Sequence, residues 1–245
     1  MPVPTRGRVF WRERRVRLGD VTPRGRLRLD ALARYLQDVS NDDTRDAELA
    51  DAMSWVVRRI VIDVHQQPVF GEELRLGTFC GGIGGRWAER RVTVTGDLGA
   101  RVEAATLWVH LDPDTLRPKV LPPEFHQLFA EAAAGRTVSA RLSHADPPPN
   151  HGGQGERMAW PMRVADFDLL GHVNNAAYWV PVEEVLARRR DLRAPLRAEL
   201  EYCLPIEPGD RVEVVTVEGG DELAMWLVGP GGTYASATVR RAGSG

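Results

Sequence analysis

The chain repeats itself, and the repeat limits what it can fold into. Arg17-x-x-Asp20-x-x-x-x-Gly25 returns as Arg163-x-x-Asp166-x-x-x-x-Gly171, an offset of 146 residues (163 minus 17). Leu36 and Val39 meet Val182 and Val185 at the same offset. Further on, Gly71-Glu-Glu-Leu-Arg-Leu76 resembles Gly209-Asp-Arg-Val-Glu-Val214, now 138 residues apart. Residues 104–109 and 235–240 both read as last strands. An ordered similarity with a drifting offset describes two copies of one unit that differ in loop or helix length. The 245 residues suffice for two units of about 120.

Each copy reads as a strand, a turn, a helix and then antiparallel strands. Residues 8–18 mix Val9, Phe10, Trp11, Val16 and Leu18 with arginines, as a strand with a solvated face. A helix starts near Asp30, with Leu29, Leu32, Ala33, Leu36 and Val39 at helical spacing. Strands follow over 55–64, 74–78, 87–94 and 101–111, and a helix over 120–134 with Phe125, Leu128 and Phe129 on one face. The glycine cluster at 80–85 lacks the Lys-Ser/Thr pair of a phosphate loop. It reads as a bulged strand or a close backbone approach. Residues 141–157 hold three successive prolines and little apolar material, and form the linker. The units are therefore 1–140 and 158–245. His144 and His151 fall in the linker without metal-ligand partners in sequence, so no metal is expected.

The run 164–178 concentrates the chemistry. Asp166 and Asp168 follow a short strand-like piece at 159–164. Gly171 permits a sharp turn. His172 and Val173 come next, then Asn174 and Asn175, which suit a helix entrance. Ala176, Ala177, Tyr178, Val180 and Leu186 give the following helix an apolar face, although Pro181 requires that helix to start late, bend or break. A carboxylate, an imidazole and the positive end of a helix suit a reaction that builds negative charge on an oxygen. Taken singly, the two acids would be turn residues and His172 a loop histidine.

Charge and composition exclude other classes. A formal charge of −2 argues against the broad basic field of a nucleic-acid binder. Cys80 and Cys203 form neither a metal spacing nor a disulfide framework, which fits a reducing cytoplasm. The first 15 residues have no signal-like apolar core, and no run approaches the roughly 20 residues of a membrane span.

The pattern D-x-D-x-x-G-H-V-N-N-x-x-Y, met at Asp166, Asp168, Gly171, His172, Val173, Asn174, Asn175 and Tyr178, resembles the signature of hotdog-fold thioesterases. With two units in one chain, the whole is similar to the acyl-ACP thioesterases over roughly residues 9–240, including Gly85-Arg-Trp-Ala-Glu-Arg-Arg91. That resemblance implies an α+β tandem double hotdog, in which curled antiparallel sheets each wrap around a long central helix. It implies a fatty acyl group on an acyl carrier protein as substrate, an acyl pocket shaped by the first unit and chemistry in the second. It assigns the catalytic carboxylate to Asp168 and the motif histidine to His172. No cofactor is implied, and the oligomer is a monomer with an internal pseudo-dimer or a homodimer. Arg188, Arg189 and Arg190 are one candidate surface for the acidic carrier, alongside Arg86, Arg90 and Arg91 and the arginines of 12–17; as last-turn cations the first three also offset a helix dipole.

The sequence departs from the plant-type pattern. The asparagine expected two residues before the histidine is Leu170. The Glu-Cys pair expected after a Leu-Glu-Tyr segment falls near Pro205 and Ile206, and Cys203 reads as a small strand residue. An Asp-centred mechanism is left. Asp168 would activate water or attack directly. Backbone N–H groups of Gly171 to Val173 would polarise the carbonyl. His172 would position water, donate to the oxyanion or hold the loop. An acyl-CoA thioesterase shares this chemistry, and a non-catalytic acyl-binding protein shares the fold. A hydratase fits less well, since its histidine follows the aspartate by five residues. The first copy has Thr22, Arg26, Arg28 and Leu29 where the second has Asp168, His172, Asn174 and Asn175. One active site per chain is expected.

Overall fold

The computed structural model describes residues 1–49, 54–149, 155–169 and 171–242; His151 and Leu170 lie outside them. Strand β1 (Val9–Arg15) leads through a 3-10 turn (Leu18–Asp20) into helix α1 (Leu29–Asp46). Strands β2 (Ser54–Gln66), β3 (Glu73–Ile83), β4 (Trp87–Gly96) and β5 (Arg101–Leu111) follow, then helix α2 (Pro123–Ala133). The pattern restarts at β6 (Glu156–Trp160), with 3-10 turns at Val164–Asp166 and Ala177–Trp179 and helix α3 (Val180–Arg188). Strands β7 (Leu196–Tyr202), β8 (Val212–Gly219), β9 (Glu222–Gly229) and β10 (Gly232–Arg241) complete it.

All ten strands join one antiparallel sheet in the order β1-β3-β4-β5-β2-β7-β10-β9-β8-β6. Read from either edge to the centre, the order is the same for both copies. They meet where β2 pairs with β7, from Arg59 opposite Glu201 to Val64 opposite Leu196. Two sequence readings shift. The strand before the motif is Glu156–Trp160 rather than 159–164, because Pro161 removes a ladder donor and Val164–Asp166 turns. It also opens inside the Pro/Gly-rich stretch. The first strand stops at Arg15, and Leu18 is exposed on its 3-10 turn.

The repeat survives at the level of single hydrogen bonds. Asp20 N–H donates to Arg17 C=O at 3.1 Å, and Asp166 N–H to Arg163 C=O at 2.9 Å. Thr22 N–H donates to Arg26 C=O at 2.8 Å, and Asp168 N–H to His172 C=O at 3.0 Å. Arg28 N–H reaches Asp20 C=O at 3.0 Å, as Asn174 N–H reaches Asp166 C=O at 2.8 Å. The two aspartates brace these turns differently. Asp166 accepts from the Arg163 backbone and guanidinium. Asp20 also accepts the Arg17 backbone N–H, at 3.4 Å, but its side-chain partners are the Tyr35 hydroxyl at 2.5 Å and Arg34 at 3.7 Å.

The central helices differ in length. Eighteen residues form α1, which buries Leu29, Leu32, Leu36 and Val39 along the face anticipated from their spacing. Nine form α3, because Pro181 is tolerated only in a first turn, where its missing N–H is not needed. The helix thus starts late instead of kinking. The glycine cluster lies in β3, with a bulge between Cys80 and Gly82. A β-carbon on Gly82 would come within 2.6 Å of Val138, so the close-approach reading holds. Helix α2 packs Phe125 and Phe129 against Phe79, Cys80 and Ala88 in a second core cluster.

A buried ion pair at the central helices ties the copies together, alongside the Arg197–Asp63 and Arg59–Glu199 pairs between β2 and β7. Buried Glu183 of α3 takes Arg26 bidentately, at 3.0 and 2.6 Å, and accepts the Leu29 N–H at 2.6 Å. It therefore satisfies an orphan donor at the start of α1 as well as a guanidinium. Removing one partner of such a pair leaves the other buried and uncompensated. Glu183→Ala is expected to lower unfolding free energy by about 3–5 kcal/mol. Urea titration measures this, and a loss below about 1 kcal/mol, the value of an exposed pair, would contradict it.

Candidate active site

A cavity of about 520 Å³ lies where the motif loop meets the first copy. Helix α1 contributes Gln37, Asn41 and Arg45, and the loop contributes Asp168, Asn174 and Asn175. Trp55, Cys80, Trp108, Phe125 and Phe129 of the strands and α2 give the rest an aromatic lining. A polar edge meeting an aromatic interior suits a ligand with a reactive polar head and an apolar tail.

The motif residues divide by placement. Asp168 lines the cavity, half-buried. His172 is exposed and pairs Nδ1 with Glu207 Oε1 at 3.3 Å. Asn174 Oδ1 accepts the Ala176 N–H at 3.0 Å, a local turn contact rather than the helix cap expected of it. Val173 is buried, and Gly171 holds φ at +79°, where a side chain would be strained. Behind the loop, the Tyr202 hydroxyl donates to Asn175 C=O at 2.8 Å and packs edge-on to Tyr178 at 5.2 Å. Burial pushes both phenols up, so both stay neutral struts.

The oxyanion assignment needs correcting. Gly171 N–H is spent on Asp168 C=O at 3.0 Å and Val173 N–H on Ile206 C=O at 3.4 Å. The Asn174 N–H closes the turn already described. A backbone that reverses on itself uses its own donors. Among the described residues, the N–H groups of His172 and Asn175 have no protein acceptor. Of these residues Asn175 lines the cavity.

Glu207 is the residue that the sequence reading missed. It lies one position beyond Ile206, where the plant-type pair was sought. A carboxylate within reach of an imidazole nitrogen fixes the orientation of the ring. Burial pushes the Cys203 thiol up, away from the thiolate that a nucleophile needs. Cys80 lines the cavity, but burial raises its thiol to about 11.

Other candidates change status. Arg189 is not free for a carrier: it grips Asp191 at 2.6 Å, Glu218 at 3.1 Å and Gly220 C=O at 2.7 Å. Arg190 and Arg188 remain exposed, the latter with Glu156 at 3.9 Å. Arg12, Arg14 and Arg15 pair with Asp42, Asp38 and Glu73, and Arg90 with buried Asp43. His144 does have acidic neighbours, Glu199 and Glu201. Yet both Glu201 oxygens already accept from Ser143 and His144, and Arg59 stands 3.8 Å from Glu199. Those bonds hold residues 143–144 against the sheet.

A thiol raised to about 11 is almost wholly protonated at neutral pH, and the thiolate is the reactive form. Iodoacetamide at pH 7.5 is therefore expected to spare Cys80 in the folded protein and to label it in urea. Mass spectrometry of tryptic peptides reads the result. Rapid labelling of native Cys80 would show a more polar cavity wall.

Comparison with known proteins agrees with this geometry. Residues 7–129 match the family description "Acyl-ACP thioesterase N-terminal domain", and residues 150–227 match "Acyl-ACP thioesterase C-terminal domain". An uncharacterised protein of Mycobacterium tuberculosis is 31% identical over 239 residues, covering 97% of this chain and 94% of that protein. The chloroplastic oleoyl-acyl carrier protein thioesterase 1 of Arabidopsis thaliana is 27% identical over 202 residues, 75% of this chain and 51% of the plant protein. The fold matches the 12:0-ACP thioesterase from Umbellularia californica (TM-score 0.77, 20% identity, 97% and 98% of the two chains). It also matches an acyl-ACP thioesterase from Bacteroides thetaiotaomicron (TM-score 0.77, 18% identity, 95% and 97%). The architecture is the double hotdog, and with both halves matched in order the chain belongs to the acyl-ACP thioesterase family.

Proposed function

We propose that this thioester hydrolase releases fatty acids from acyl carrier protein, with Asp168 as its catalytic carboxylate. The observation that carries this reading is the cavity, which sets Asp168 at the polar edge of an aromatic interior. The acyl chain lies against Trp55, Phe125 and Phe129, and the thioester sits beside the motif loop. Asp168 takes a proton from water as the oxygen attacks the carbonyl carbon. Negative charge builds on the carbonyl oxygen, which the Asn175 N–H stabilises. The C–S bond then breaks, and the carrier thiol leaves with the proton. His172, oriented by Glu207, holds the loop through its C=O and keeps a proton-transfer group near its rim. The carrier itself is inferred from the family and from the plant relative's name. Arg188 and Arg190 are the exposed cations left for it at that end of α3.

A thiol-release assay across acyl-carrier-protein and acyl-CoA substrates tests the reading. Turnover on the carrier thioesters is expected, and turnover on CoA thioesters alone would reassign the substrate. Asp168→Asn keeps the shape and removes the base. It should cut kcat by about 100-fold or more with the fold intact. Cys203→Ser should leave kcat within about twofold, as no step uses that thiol. Asp20→Asn should cost about 0.5–3 kcal/mol of stability and leave turnover per folded molecule unchanged. Loss of turnover in well-folded Asp20→Asn would break the one-site arrangement.

A further inference from the structure

The two copies of the turn can be read against each other. Their backbones share the three bonds described above, and a fourth from Gly25 to Thr22 and from Gly171 to Asp168, up to the residue that opens each central segment. In the first copy that residue is Leu29, and its N–H holds a Glu183 carboxylate oxygen at 2.6 Å. In the second copy it is Asn175, whose N–H has no protein acceptor among the described residues. The first copy thus shows what this donor binds: an anionic oxygen.

The repeat also names the group that faces the second donor. Glu183 of α3 stands over Leu29. The residue 146 positions before Glu183 is Gln37 of α1. Leu36 and Val182, its neighbours at the same offset, are both buried, so the register holds. Gln37 lines the cavity together with Asp168, Asn174 and Asn175. It is half-buried, and among the described residues its carboxamide has no hydrogen-bond partner. Where the first copy plugs its donor with a charged side chain, the second has a neutral one at the equivalent position, and it lines the same cavity as Asn175.

We propose that Gln37, contributed by the first copy, is a catalytic residue: its carboxamide N–H and the Asn175 N–H together hold the thioester oxyanion. This deepens the thioester-hydrolase reading and rests on it. Carboxamide is the fitting chemistry. It donates to the oxygen as charge develops, whereas a carboxylate there would repel it. The inactive copy is closed by that very difference, with Glu183 on the donor and Arg26 in the place of His172.

Two variants test the assignment. Gln37→Ala should lower kcat by about 100-fold, the scale of one oxyanion donor, with KM within about threefold. Gln37→Glu recreates the plugged copy and should lower kcat further, with an unchanged or higher thermal midpoint. A merely structural role would move the midpoint and not the split between kcat and KM. Decanoate binding, followed by calorimetry, adds a readout independent of turnover. Its carboxylate should bind wild type at least about tenfold more tightly than Gln37→Glu, through loss of a charge-assisted bond. If Gln37→Ala keeps wild-type kcat, or Gln37→Glu binds decanoate as wild type does, the assignment is overturned. If wild type hydrolyses no thioester, the proposed function falls, and decanoate binding still decides Gln37: equal binding, or none by either protein, overturns it.

Discussion

The grip of Glu183 on Arg26 and on the Leu29 N–H is the contact on which the arrangement turns. A helix start needs its first donors satisfied, and a buried carboxylate needs cations or donors. Each copy here supplies what the other lacks. The contact fixes α3 across the beginning of α1, and the same crossing brings the middle of α1 opposite the motif loop. The cavity lies where the middle of α1 meets that loop.

Much of this was legible in the sequence, for local reasons. The turn at Asp166 to Asn175 is encoded by residues close in the chain: Gly171 for the positive φ, Asn174 for the local turn contact, Asp166 for the brace. The face of α1 was readable because burial follows a period. The late start of α3 was one of the outcomes that Pro181 allowed. The repeat was readable as a strand, turn, helix and strands met twice, while the order of those strands in the sheet comes from the fold.

What escaped was non-local. Glu207 reaches His172 from another loop, and Glu183 reaches Arg26 across the pseudo-dimer. Arg189 looked available because its acceptors include Glu218 and Gly220, far ahead in the chain. Nearness to a helix points to the N–H groups of Gly171 to Val173 as oxyanion donors, yet the turn uses that of Gly171 and the distant Ile206 carbonyl that of Val173. Counting where each backbone donor goes requires the fold. Spacing alone does not give it.

The strand order has a further consequence for how the protein keeps company with itself. Joining the copies through β2 and β7 leaves two open edges, β1 and β6. An open edge is a template for pairing with another chain. One of them carries Arg12, Glu13, Arg14 and Arg15 in succession, and the other is only five residues long. Charge on one margin and brevity on the other discourage stacking of sheet upon sheet edge. The arginine-rich strand, unremarkable as a binding surface, serves as a guard against aggregation.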